Sequence, residues 1–209
     1  GRVVGSDGQL RGLTGRELCR AAWGGSFDAL GSVNPEAPLL LVALGPQPGA
    51  LGELEVPANA LCLPVMPQVD VLKEGVDLFL THGGQNSFME ALSTGTPLVV
   101  CPGFADQPVN ARKAVDLGVG LQVERPVPSC GEEGAAAEAY RHEVAAALRD
   151  VLGASAYREA ALGISQRMRA AGGVPRAVEL VLEAAASQEG SKPAGLVRDA
   201  RAAAYRAGA

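Results

Sequence analysis

Five short apolar runs constrain this chain more than any other feature. They are LLLVAL at 39–44, ALCLPV at 60–65, VDLFL at 76–80, PLVVC at 97–101 and VGLQV at 119–123. Each is too short for a buried helix and, being apolar at nearly every position, fits a strand covered on both faces. Segments of helical character separate the later runs, at 68–74, 85–95 and 106–117, and Gly95 and Gly118 follow the last two as helix stops. Strand–helix alternation at this spacing predicts βαβ units with right-handed crossovers. The expected architecture is α/β, a doubly wound parallel sheet with helices on both faces. After Pro128 the pattern becomes three consecutive helices, with Val144, Leu148, Val151 and Leu152 marking an apolar stripe on the first.

The ends differ in character. Residues 1–12 are glycine-rich and read as a linker. Thr14 and Glu17 have capping-box spacing and open a helix to about Leu30, which Gly24 and Gly25 are expected to weaken. Residues 187–194 are a polar break, and LVRDARAAAYRAG beyond it reads as a last helix suited to docking. The expected division is therefore 1–37 as linker and helix, 38–186 as the main domain and 187–209 as a tail. The sequence opens on Gly1 rather than Met, so an upstream segment is expected, and no signal peptide is visible.

Composition narrows the function classes. Of 209 residues, 47% are hydrophobic and 20% charged, enough apolar material for a core without disulfide staples. The net charge of −5 argues against a nucleic-acid partner, which needs a basic face. No apolar run has the length of a membrane span. Cys19, Cys62, Cys101 and Cys130 are scattered, with no C-x-x-C pair, and His82 and His142 are the two histidines, so no metal site is expected. Unpaired cysteines favour a reducing compartment such as the cytoplasm or an organelle stroma.

The chemistry concentrates at 77–110, DLFLTHGGQNSFMEALSTGTPLVVCPGFADQPVN. A buried strand ends in Thr81-His82-Gly83-Gly84 and a helix starts at once. In open parallel sheets ligands bind at this carboxyl edge. Two glycines allow close backbone approach, and the free N–H groups of a helix start attract an anion such as phosphate. Asn86 and Ser87 sit in the first turn, and Glu90 lies one turn beyond Asn86, placed to accept from two vicinal hydroxyls such as those of a ribose. His82 adds a ring donor. Helix capping by Asn86 and Ser87, and a solvated Glu90, are the plainer alternatives. A second cluster follows the next strand, where Asp106 and Gln107 could bond sugar hydroxyls or Asp106 could simply cap its own helix.

The stretch LTHGGQNSFMEALSTGTPLVVCPGFADQPVNA resembles the signature of UDP-dependent glycosyltransferases of the GT-B fold, through Thr81-His82-Gly83, Asn86-Ser87, Glu90, Gly95-Thr96-Pro97, Asp106-Gln107 and Asn110. Pro67-Gln68 is similar to the family dipeptide that precedes the signature, and YREAALGISQRMRAAGGVPRAVELV is similar to its C-terminal helices. The resemblance covers roughly residues 38–186 and implies a Rossmann-like domain, the donor-binding half of a GT-B fold. It implies that His82, Gly83, Gly84, Asn86 and Ser87 hold the diphosphate and Glu90 the ribose. Gln68 and Val65 would face the base, and Asp106 with Gln107 would orient the sugar. No cofactor or metal is implied; the UDP-sugar is the substrate.

Two departures bear on affinity. Val65 stands where many plant members place a tryptophan that stacks on uracil, and Pro46 follows Gly45 where a serine is common. Nothing in residues 1–37 can form the acceptor-binding half, which in the family supplies the catalytic base, so no catalytic residue is expected in this chain. Three functions follow. One is the UDP-sugar-binding half of a hexosyltransferase, completed by a second domain or protein chain and inactive alone. Another is a non-catalytic domain reused as a structural or linker subunit of an assembly. The last is a nucleotide-sugar sensor.

Overall fold

The computed structural model describes residues 3–4 and 10–189. These form two compact units, one ending at Gln166 and the other beginning at Arg167. The expected last helix at 196–208 lies outside the described residues. The start is not only a linker: β1 (Val3–Val4) pairs antiparallel with β2 (Leu10–Arg11). Thr14 then caps α1 (Gly15–Leu30) with the expected reciprocal box, in which the Glu17 amide donates to Thr14 Oγ1 at 3.2 Å and the Thr14 amide donates to Glu17 Oε2 at 2.6 Å.

All five apolar runs form strands in parallel ladders, but in two pieces rather than one sheet. β3 (Leu40–Ala43) pairs with β4 (Ala60–Leu63), and β5 (Phe79–Thr81), β6 (Leu98–Val100) and β7 (Gly120–Gln122) form a three-stranded sheet in that order. Among the described residues no ladder bond joins the two pieces. The β3–β4 pair is tied instead to the end of α1. Asn59, 2% exposed, donates from Nδ2 to the carbonyls of Leu30 and Pro38 and accepts from the Ser32 amide. The β3–β4 crossover, 44–59, contains turns but no helix, whereas parallel crossovers usually carry one. One face of this pair consequently meets water: Leu39, Leu41, Leu61 and Leu63 are all exposed.

The three-stranded sheet is covered on both sides. Leu98, Val99 and Val100 of β6 are each 0% exposed. Alternation sends Val99 to one face, where it joins Leu13, Leu18 and Ala21 beside α1 and Tyr140, Val144, Leu148 and Val151 of α5 (Glu133–Gly153). Crossovers α3 (Gln85–Thr94) and α4 (Gln107–Asp116) lie against the strands they join, and the short α2 (Gln68–Lys73) packs on α3. Close strand approach fixes Gly120, because a Cβ there would lie 1.9 Å from the Leu98 carbonyl oxygen.

Gly24 and Gly25 do more than lower helix propensity. A methyl group on Gly25 would lie 2.5 Å from the Arg141 carbonyl oxygen, so their bare surface is what lets α5 approach α1. The same seam carries a two-pronged ion pair, Arg141 Nε to Asp28 Oδ2 at 2.6 Å and Nη2 to Oδ1 at 2.7 Å. α6 (Ser155–Ala170) belongs to the first unit as far as Gln166, and there the Ser165 hydroxyl donates to the Ser93 carbonyl. In the second unit, α7 (Gly173–Glu189) bears Val174, Val178, Val181 and Leu182 exposed, with Arg176 paired to Glu179 and Glu183.

Two expectations follow for stability. Replacing a helical glycine by alanine ordinarily gains up to about 1 kcal/mol. Overpacking against a backbone atom costs about 1–3 kcal/mol. Gly25→Ala should therefore lower the urea midpoint, while Gly163→Ala, with open space around it, should raise it. The hydrogen bonds from Arg141 hold the Asp28 carboxyl below its ordinary range. A depressed folded-state pKa stabilises above the unfolded value and loses that contribution as pH falls through the folded one. Asp28→Asn should thus cost stability at pH 7, by about 0.2–1 kcal/mol for a pair this exposed, and the gap to wild type should close in acid below pH ~4.

Candidate functional site

The turn after β5 is built around glycine. Gly83 has φ +79, and a Cβ on it would lie 2.5 Å from Val100 Cγ1, so strand and turn are in contact there. Thr81, 7% exposed, accepts the Gly83 amide on its hydroxyl at 3.2 Å. Gly84 precedes α3 without any side-chain cap. A methyl on Gly84 would be 2.7 Å from His82 Nε2, which places the exposed imidazole against the mouth of the helix. His82, Gly84, Gln85, Asn86 and Ser87 line a cavity of about 320 Å³. Another depression of about 280 Å³, along α4 and β7 at Arg112, Val115, Asp116, Gln122 and Glu124, holds none of the signature residues.

The first-turn amides are unequally used. The Phe88 amide closes the first helical turn on the Gly84 carbonyl, and the Gln85 amide donates to Asp106 Oδ2 at 2.8 Å. Among the described residues the amides of Asn86 and Ser87 have no protein acceptor. They open on the cavity at the positive end of a ten-residue helix with no acid in its first turn, the arrangement that binds phosphate oxygens.

Around this start two small networks form. Gln68 Nε2 donates to Ser87 Oγ at 3.1 Å and to Glu90 Oε2 at 2.5 Å, so the residue expected at the base bonds those expected at the phosphate and the ribose. Asn110, 6% exposed, donates from Nδ2 to the Gly83 carbonyl at 2.8 Å and to Asp106 Oδ2 at 3.2 Å. Asp106 stands before α4 but makes no side-chain cap there. Its carboxylate reaches across to α3, a third outcome beside sugar binding and capping its own helix. The reach depends on Ala105, whose φ of +57 is left-handed, a conformation that non-glycine residues adopt at a cost.

Gln107 turns inward. It is 7% exposed, and its Oε1 accepts the amides of Gly103 at 2.7 Å and Phe104 at 3.2 Å, so it shapes the loop. Val65 is 77% exposed on the turn after β4, and Pro46 is also exposed. Sequence reasoning placed Thr81 and Asn110 in the signature but gave neither a role. The spacing of Asp106 and Asn110, i and i+4 on one helix face, was the available signal.

The thiols take no part in this site. Burial, opposed by a hydrogen bond with Tyr140, pushes Cys101 up to about 11, and burial raises Cys19 and Cys62 as well. Burial likewise raises the Tyr140 phenol.

This parallel α/β fold has counterparts among solved structures of GT-B glycosyltransferases. A glycotransferase of kitacinnamycin matches at TM-score 0.56 and 32% identity, over 68% of this chain and 34% of that one. The calicheamicin glycosyltransferase CalG4 shares the fold at TM-score 0.60 and 24% identity, over 82% of this chain and 38% of that one. Residues 32–171 match the sequence profile of the family described as UDP-glucoronosyl and UDP-glucosyl transferase, and the chain belongs to that family. Among its relatives are the uncharacterized UDP-glucosyltransferase YojK of Bacillus subtilis, 35% identical over 130 residues, and UDP-glucosyltransferase 45 of Panax ginseng, 40% identical over 104. The chain's match covers 62% of this chain and 29% of the first relative, and 49% of this chain and 21% of the second.

The Asn110 clamp is testable apart from any ligand. Asn110→Ala leaves the Gly83 carbonyl without its buried donor and should cost about 1–3 kcal/mol by urea unfolding. A loss below about 0.5 kcal/mol, the range of ordinary surface changes, would show that the clamp holds nothing.

Proposed function

We propose that this chain binds the nucleotide part of a UDP-sugar and serves as the donor half of a hexosyltransferase. The observation that carries the reading is the pair of unused amides at Asn86 and Ser87. They open on a cavity beside His82, with the Glu90 carboxylate one turn further along the same helix. In this reading the diphosphate lies across the α3 start and accepts from those amides, the Ser87 hydroxyl and His82. Glu90 accepts from the ribose hydroxyls, and Asp106 meets the sugar. Exposed Val65 offers the base a smaller apolar surface than an aromatic ring. The helix end and His82 would stabilise charge on the departing diphosphate during displacement at the anomeric carbon. No metal is needed for that arrangement.

The acceptor hydroxyl must lose a proton, which requires a base. His142 is exposed on α5, and no other histidine besides His82 is present in the sequence. A second domain or chain would therefore supply the base and the acceptor site. A structural reuse of the domain is favoured by the inward Gln107 and by the Asp106 carboxylate, which already occupies the Gln85 amide.

Titration calorimetry separates the two. UDP and UDP-glucose should bind with 1:1 stoichiometry, and His82→Ala and Glu90→Ala should each weaken UDP at least about tenfold, the loss of one hydrogen bond to a charged group. No heat at millimolar UDP would leave the structural reading standing.

A further inference from the structure

Two strands of the first unit have an edge that pairs with nothing among the described residues. β3 bonds β4 alone, and β5 bonds β6 alone. The Leu40 amide donates to the Asn59 carbonyl and the Leu44 amide to that of Leu63, so by alternation the amides of Leu41 and Ala43 point away from β4. Likewise the Phe79 amide donates to the Pro97 carbonyl on the β6 side, which turns the Leu80 amide away from β6. Among the described residues these three amides have no acceptor. Rows of this kind are templates for a further strand.

The handedness of the crossovers makes the two edges face one another. β5–α3–β6 and β6–α4–β7 step the same way across the sheet, so right-handed crossovers put α3 and α4 on one face. The cluster around Val99 holds residues of α1 and α5 and none of α3 or α4, so α1 lies on the other face. A right-handed crossover there steps the opposite way. α1 therefore leads outward to β3 from a position on the β5 side of it. Arg20 of α1 donates to the carbonyls of Gly49 and Ala50, both at 2.9 Å, and holds the next crossover on the same face, so it too steps outward, to β4. The return runs through α2 on the α3 side, where Gln68 bonds Ser87 and Glu90, and leads into β5. The order across the unit is β4, β3, one strand position, then β5, β6 and β7. Among the described residues no parallel strand enters α1 to take that position, since β1 pairs antiparallel with β2.

We infer that the position between β3 and β5 is a docking site for one extended aliphatic strand, parallel to both, contributed by the acceptor-binding half proposed above. Helices flank the position on both faces, so the strand takes aliphatic residues along nearly its whole length. Its main chain accepts from Leu41 and Ala43 on one side and from Leu80 on the other, the mode in which an added strand gains affinity from backbone bonds. Crossovers change direction at this position, and ligands of open α/β sheets sit at the carboxyl end of such a point. The body that contributes the strand is thereby held beside the cavity lined by His82 and Asn86. The source of the strand rests on the donor reading; the open edges do not.

The test is amide hydrogen exchange, followed by NMR on the full chain. Alone, Leu41, Ala43 and Leu80 should exchange at least about tenfold faster than their ladder-bonded neighbours Val42 and Thr81, the difference that one net hydrogen bond makes. Equal protection would mean that the edges are already paired, and overturns the site. The probe is a run of about five alternating valines and isoleucines, an ordinary strand length. It is flanked by lysines and joined ahead of Gly1 through a flexible Gly-Ser linker, which supplies a millimolar effective concentration. It should slow all three amides about tenfold or more and leave the outer edges of β4 and β7 unchanged. The same run with a central proline, which cannot donate to a ladder, should protect none of them. Ala43→Pro loses no hydrogen bond to β4, but its ring blocks the open edge, so in that variant the tethered run should no longer slow Leu80. Protection at β4 or β7 instead, or at no edge, would overturn the docking site. If UDP gives no heat while the three amides are protected, the donor reading falls and the strand site stands.

Discussion

Strand β6 touches no solvent, and much of the first unit is arranged to keep it so. Residues of α1 and α5 close over Val99, and α4 packs against the same strand. Burying a strand on both faces is what a parallel sheet demands. Here it also dictates residue identity at a distance. β7 can lie beside β6 only because Gly120 has no side chain, and the turn after β5 can fold over Val100 only because Gly83 has none. The helix pair above Val99 closes only because Gly25 is bare. Three glycines in three different elements are thus fixed by one central strand or by the layer covering it.

That packing sets up the site. With β5 and β6 in register, their carboxyl ends deliver the His82–Gly84 turn and the Pro102–Asp106 loop side by side. Asn110 binds the turn, and Asp106 binds the first amide of α3, so two loops some twenty residues apart in sequence behave as one body. Preorganisation of this kind allows unused amides to remain aimed at a cavity without a ligand to hold them. The distortion at Ala105 is local to the segment that has to bridge the two loops.

The strands and helix starts were readable in the sequence because they depend on local patterns. The runs at 39–44 and 97–101 are apolar throughout, and the Thr14–Glu17 box is a spacing rule. The His-Gly-Gly turn followed by Asn86 and Ser87 could likewise be placed at a sheet edge from order alone. What escaped was pairing between distant segments. Gly24 and Gly25 looked like helix defects because their partner, the backbone at Arg141, is more than a hundred residues away. Asp106 was assigned to its own helix or to a sugar, whereas its carboxylate answers an amide 21 residues earlier. Gln68 was assigned to a base, and its hydrogen bonds to Ser87 and Glu90 were not anticipated. The division of the five parallel strands into a pair and a three-stranded piece went unread for the same reason: run composition does not record which strands are neighbours.

The bare side of β3–β4 has a colloidal consequence. Leu41 and Leu61 stand opposite one another in the ladder with Leu39 and Leu63 beside them, all exposed. Attraction between such surfaces comes from water, so it strengthens on warming from the cold and with excluded salts such as sulfate, and urea weakens it. That face is built from β3 and β4, and the α3 helix start takes no part in it. Ligand at the α3 helix start would stabilise the fold and leave that face as exposed as before.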